Sequence, residues 1–198
     1  MIRAARLEEV LWDLGHWVIV DLGFAASGRK STAVMVGDGE PEVLDFASAC
    51  DRVVEAAHAS SGRPLMLVLE APLSICFDDR RNPIRRDFDS KLRTDGRVTT
   101  RYWYAGLGCC VMVAAGHLLA RINARTQSAD IRLVEGFVSY AEGGASDHGR
   151  DTTSLRASIK SGTVCMPKPV KMGAAIFESP FNAFGMDFGV PPVVIGQK

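Results

Sequence analysis

Two carboxylates close apolar runs in this chain. Asp21 follows His16-Trp17-Val18-Ile19-Val20, and Glu70 follows Leu65-Met66-Leu67-Val68-Leu69. Both runs are short and rich in β-branched and aliphatic residues, which predicts buried strands. An acid in such a place is costly to bury unless something compensates its charge, and a bound cation is one such partner. Two strands that each deliver a carboxylate to one point make a hard, oxygen-rich site suited to Mg²⁺ or Mn²⁺. Downstream lie Glu135, in Leu133-Val134-Glu135-Gly136-Phe137, and the group Asp147-His148-Gly149-Arg150-Asp151. Carboxylates from separate segments that meet at one sheet edge hold metal ions roughly 4 Å apart, the arrangement that activates water for phosphodiester hydrolysis. On this reading Asp21 and Glu70 are the leading candidate ligands. Asp151 and Asp147 compete for a further position, Glu135 is a candidate extra ligand or a partner behind the ligands, and His148 is a candidate to orient a water or a phosphate. The plain alternatives are a strand acid bound to a loop for Asp21, a strand-ending turn for Glu70, a helix N-cap for Asp151 and an arginine partner for Glu135.

The elements that would position these groups follow from periodicity. Residues 5–14 predict a short helix, 17–22 the first strand, 31–36 the returning strand of a hairpin, and 42–44 a third strand. Residues 46–60 carry Phe46, Ala47, Cys50, Val53, Val54 and Ala57 at helical spacing. A strand at 64–69 follows, apolar on both faces as a central parallel strand is. Helix at 102–125, strand at 131–140 and helix at 151–161 complete the order, ahead of a Pro- and Gly-rich tail from about residue 163. The hairpin strands should be antiparallel and those separated by helices parallel, a mixed α/β arrangement in one domain over residues 1–198. Strands 17–22 and 64–69 become neighbours if the later strands add beside the first.

Residues 78–101 differ in character. They hold Arg80, Arg81, Arg85, Arg86, Lys91, Arg93, Arg97 and Arg101 with five acids and almost no apolar periodicity. This predicts a surface insertion whose cations track a phosphate backbone, with Tyr102-Trp103-Tyr104 beside it to stack on bases. Ordinary burial of the aromatics competes with that reading. Ser27-Gly28-Arg29-Lys30-Ser31-Thr32 lacks phosphate-loop spacing and leads into a strand, so a nucleotide-binding loop is not expected there.

Composition sets outer bounds. With 23 basic and 23 acidic residues the net charge is zero, which excludes a uniformly positive surface but not a local one. No apolar stretch reaches the roughly 18 residues of a membrane helix; residues 105–122 come nearest and read as a buried core helix. Glu8, Glu9 and Asp13 break up the N-terminal region, so a signal peptide is not expected and a cytoplasmic location is. Five cysteines, one pair adjacent and none in CxxC spacing, argue against a zinc site or disulfide framework and for buried free thiols.

Taken together, Val18-Ile-Val-Asp-Leu-Gly23 with Ser31-Thr-Ala-Val34, Leu67-Val-Leu-Glu-Ala-Pro-Leu73, Val134-Glu-Gly-Phe-Val-Ser139 and the His148/Asp151 helix start resemble the ribonuclease H-like superfamily. Within it the likeness is to the Holliday-junction resolvase branch and a group of bacterial predicted nucleases. The resemblance spans about residues 17–159 and implies a five-stranded mixed sheet flanked by helices, a divalent-metal nuclease site and a nucleic-acid substrate. It aligns Asp21, Glu70 and Asp151 with the family's acids. The chain departs from the pattern in its delayed first strand and its long insertion. Three other expectations follow: a non-catalytic binding or assembly subunit of the same fold; a homodimer, if the role is resolvase-like; and an actin-like ATPase, disfavoured because 198 residues leave no room for a duplicated domain.

Overall fold

The computed structural model describes residues 1–60, 62–92, 98–100, 107–126, 129–138, 147–170 and 175–196, with backbone alone at 90–92, 98–100 and 107. In chain order the elements are β1 (Ile2–Ala4), α1 (Leu7–Leu11), β2 (His16–Asp21), β3 (Thr32–Val36), β4 (Glu42–Leu44), α2 (Phe46–Ala59) and β5 (Leu65–Glu70). The insertion then contributes β6 (Ile75–Phe77), β7 (Pro83–Ile84), a 3₁₀ turn at Asp87–Asp89, β8 (Ser90–Leu92) and β9 (Val98–Thr100). It is followed by α3 (Leu107–Arg125), β10 (Ile131–Val138), α4 (His148–Lys160), β11 (Val164–Cys165), β12 (Ile176–Glu178), a 3₁₀ turn at Pro180–Phe184 and β13 (Val193–Gly196).

The main sheet has eight strands rather than the expected five. Its path runs β11-β13-β10-β5-β2-β3-β4, and β1 pairs with β10 off that path. β2, β3 and β4 form the antiparallel meander, and β5 and β10 add in parallel beside β2, as the crossover connections require. The three additional strands come from the chain's two ends. β1 lies along Ile131–Leu133 of β10, and β13 takes the next stretch of the same edge, Glu135–Val138. The Pro- and Gly-rich tail is therefore part of the sheet: Val193 and Val194 are fully buried. The described part of the insertion is likewise structured, with β6 held between β12 and β7.

Strand alternation divides the core into two layers. Val18, Val20, Leu67, Leu69 and Leu133 face α2 and α3, packing with Val53, Leu118, Leu119 and Ile122. Ile19, Met66, Val68, Val134 and Val138 face the other way, against Leu155 and Ile159 of α4 and Val10 of α1. Helix α3 is buried on one face only: Cys110, Val113, His117 and Ala120 are exposed, which corrects the expectation of a fully buried helix. All five cysteines are free, but only Cys50 and Cys76 are buried; Cys109 and Cys165 are half-buried and Cys110 exposed. No helix among the described residues is long and apolar enough to cross a membrane.

Candidate metal centre

Asp21 and Glu70 are the last residues of β2 and β5, and the parallel register sets them directly opposite each other. Each also falls on the α4 side of the sheet, because Ile19 and Val68 two residues earlier do. α4 supplies the third acid. Its N-cap is Asp147, whose side chain accepts the backbone N–H of Arg150, so Asp151 lies in the first turn with Leu155 and Ile159 below it at four-residue intervals. Gly136 of β10 permits this approach: a Cβ there would stand 3.0 Å from Leu155 and 3.1 Å from Val68. One oxygen from each of Asp21, Glu70 and Asp151 lies within 4.8 Å of the others.

The cluster is electrostatically incomplete. Asp21 and Asp151 are buried, and Glu70 Oε2 is buried without a hydrogen-bond partner. Burial pushes the Glu70 carboxyl well above the usual carboxylate range, and the charges of Asp21 and Asp151 push it further. A backbone N–H from Val138 opposes that rise. His148, when protonated, brings positive charge to the cluster: its Nδ1 lies 2.7 Å from Asp21 Oδ2. That hydrogen bond raises the imidazole's pKa above its ordinary value, against desolvation. Three convergent carboxylates and an orphaned buried oxygen are the donor set a hard divalent cation takes.

The structure therefore brings together four of the expected site residues, Asp21, Glu70, Asp151 and His148. Asp147 stays outside as a helix cap. Glu135 stands apart from this cluster, and the reason is register: it lies opposite Leu69, one residue short of Glu70, and so points to the other face of the sheet. There it is fully buried and its acceptors are taken. Arg86 Nη1 donates to Oε1 at 2.6 Å, while Leu73 N–H and Ser74 Oγ donate to Oε2 at 3.0 and 3.2 Å.

The same contact corrects the reading of Arg86 as a nucleic-acid-binding cation. Its side chain has no exposed surface, it also pairs with buried Asp89 at 3.0 Å, and its guanidinium lies over the Phe88 ring. Arg81 is tied to Glu178, Arg85 is half-buried and Arg80 is exposed. The side chain of Lys91, and Arg93, Arg97, Arg101 and Tyr102-Trp103-Tyr104 entirely, lie outside the described residues. Sequence reasoning preferred Asp151 but kept Asp147 as a close competitor, although a separating signal was present: Asp151, Leu155 and Ile159 share one helix face. Compared with protein-family models, curated proteins and solved structures, the chain matches none of them.

Proposed function

We propose that the chain is a divalent-metal-dependent nuclease of the ribonuclease H-like type, with Asp21, Glu70 and Asp151 as ligands to Mg²⁺ or Mn²⁺. The observation that carries this reading is the convergence of these three carboxylates from two adjacent strand ends and a following helix, their oxygens within 4.8 Å of one another. The buried, unpartnered Glu70 Oε2 supports it, since a cation would supply what that oxygen lacks. The cluster by itself supports a bound cation and no particular reaction. Phosphodiester chemistry comes from the arrangement around it: an antiparallel meander whose first strand carries Asp21, parallel strands added beside it, and the last acid on the helix after β10.

When bound, the cation would activate water and stabilise the leaving oxygen of a phosphodiester. The protein's own part is positional. Parallel pairing of β2 with β5 fixes the spacing of Asp21 and Glu70, and the packing of Leu155 and Ile159 fixes the depth of Asp151. His148, held to Asp21, orients that carboxylate and faces the solvent side, where a phosphate would arrive.

The deciding experiment is cleavage of labelled single-stranded, duplex and branched DNA and RNA with Mg²⁺, Mn²⁺ or EDTA, with Asp21→Asn and Glu70→Gln alongside. Cutting that needs metal and vanishes in both variants is the expected result. No cutting of any substrate, together with no thermal shift on adding Mn²⁺, would replace the nuclease with a non-catalytic binding or assembly subunit.

A further inference from the structure

With Arg86 buried and Arg81 held by Glu178, the described part of the insertion leaves little to grip a substrate. The loop between β2 and β3 offers more. It starts at Leu22, directly after Asp21, and returns at Ser31, two residues before the Ala33 that pairs with Asp21. It therefore flanks the carboxylates at the same end of the sheet.

The loop is a built element. Its neck is pinched: Thr32 Oγ1 donates to the Gly23 carbonyl at 2.8 Å, and a Cβ on Gly23 would fall 1.8 Å from the Ser31 oxygen, so only glycine fits. Its tip is a tight turn in which the Arg29 N–H donates to the Ala26 carbonyl at 3.4 Å and Ser27 and Gly28 both take positive φ, 62° and 67°. A non-glycine residue in the left-handed region marks a conformation set by its surroundings. This loop presents Phe24, 49% exposed, and then Arg29 and Lys30, both exposed and without an ion pair among the described residues.

The Phe24 ring has defined support. It meets Phe46 edge-on at 5.2 Å and lies nearly parallel to the His117 ring at 6.4 Å between centroids, on the α2/α3 side of the sheet. Phe24 is three residues from Asp21, a reach of at most about 11 Å between Cα atoms, or about three stacked nucleotides at 3.4 Å each. His117 also lines an apolar cavity of about 350 Å³ with Phe181, Phe184 and Met186.

We infer that the β2–β3 loop is the substrate grip of this site: Phe24 stacks on an unpaired base near the scissile phosphate, and Arg29 and Lys30 hold the neighbouring phosphates, so the substrate is single-stranded nucleic acid or a locally unpaired strand. The stacked base lies within about three nucleotides of the scissile phosphate, where the strand passes over the end of the sheet. The inference rests on the nuclease reading for the position of the scissile phosphate. Its chemistry is that of a stacking platform beside a cationic rim. Such a pairing favours strands whose base faces are free, because a duplex keeps them stacked internally.

The test is fluorescence anisotropy of the full chain with a labelled thymidine 20-mer and a blunt 20-base-pair duplex, in EDTA over a salt series. Calorimetric Mn²⁺ titration and the cleavage assay run alongside. The single strand should bind more tightly than the duplex. Phe24→Leu, which keeps apolar bulk but loses the ring, should weaken single-strand binding roughly tenfold, and Phe24→Tyr should retain it. Arg29→Ala with Lys30→Ala should flatten the salt dependence by about 1.4 in log–log slope, two phosphate contacts at about 0.7 each. Mn²⁺ affinity should stay unchanged in all of these variants. Single-strand binding equal to wild type in Phe24→Leu and in the double variant, while wild type takes up Mn²⁺ and cleaves, would overturn the loop assignment alone. Loop-dependent binding without metal-dependent cleavage would keep the loop assignment and overturn the nuclease.

Discussion

Two groups of buried carboxylates lie on opposite faces of one sheet, and they solve the cost of burial in different ways. On the α2/α3 side, Glu135 and Asp89 surround Arg86, and the arginine's donors reach Glu135, Asp89, the Ser74 hydroxyl and the Ser74 carbonyl. On the α4 side, Asp21, Glu70 and Asp151 converge with His148 bonded to Asp21, and among the described residues one glutamate oxygen has no hydrogen-bond partner. A permanently charged, fully engaged guanidinium makes the first group a strut that ties the insertion to β10. The second group keeps a carboxyl that burial and its neighbours' charges push above its ordinary pKa, and a recruited cation would relieve that cost. Acid content is thus a poor guide to a site, and what neutralises the acids is a good one.

The largest stability effect should come from breaking the strut. Arg86→Met leaves Glu135 and Asp89 buried and uncompensated, a loss of about 3–5 kcal/mol. For a chain of this length that is a fall in Tm of about 6–20 °C. Replacing all three charged groups together, Arg86→Met with Glu135→Leu and Asp89→Asn, should recover most of it, since apolar packing substitutes for a buried ion pair. Scanning calorimetry decides the point. If the triple variant is no more stable than Arg86→Met, the strut is more than a neutralised pair.

Metal should act on the other group and leave the strut alone. Mn²⁺ at a hundred times its Kd should stabilise wild type by about 2.7 kcal/mol. Asp21→Asn and Glu70→Gln should lose this shift, and Glu135→Gln should keep it. A shift lost in Glu135→Gln would join the two groups into one centre and end the contrast.

Without metal, the ligand cluster should be a liability. The Glu70 carboxyl titrates above its ordinary value when folded, so the stability it contributes is present below about pH 4.5 and lost as pH rises through its raised value. In EDTA at pH 8, Glu70→Gln should therefore melt a few degrees above wild type, and at pH 4 the two should coincide. A variant that melts below wild type at pH 8 would mean that Glu70 is compensated after all.

How much of this was legible in the sequence follows the range of the interactions. Asp21 and Glu70 were readable because each ends an apolar strand, and parallel pairing of two such strands sets their ends side by side. The meander and α2 were readable for the same local reason. Glu135 was not: its role depends on whether it stands opposite Leu69 or Glu70, a one-residue matter of register, and on Arg86, 49 positions away. β1 and β13 escaped because three or four residues from the chain's ends become strands only through the long β10 edge that receives them. Asp147 remained a close competitor of Asp151 until the helix start was fixed at His148, which makes Asp147 the cap.

The smallest effect follows from the two cations themselves. Arg86 does not titrate in any accessible range, whereas His148 does. The hydrogen bond from Asp21 raises the His148 pKa, so its contribution to stability is complete below about pH 6.5 and is lost as pH rises through the raised value. Being partly exposed, the imidazole should move Tm less than Glu70 does. In EDTA between pH 6 and 9, wild type should lose Tm more steeply than His148→Gln. The slope that remains in that variant belongs to Glu70, and His148→Gln with Glu70→Gln should be nearly flat. The Arg86 strut should add little to these slopes: burial raises the Glu135 carboxyl above its ordinary value, but the charge and hydrogen bond of Arg86 and the Leu73 N–H oppose that rise. If the double variant still loses Tm as steeply as wild type, the pH-sensitive charge lies elsewhere, and the division between a closed and an open acidic group would have to be redrawn.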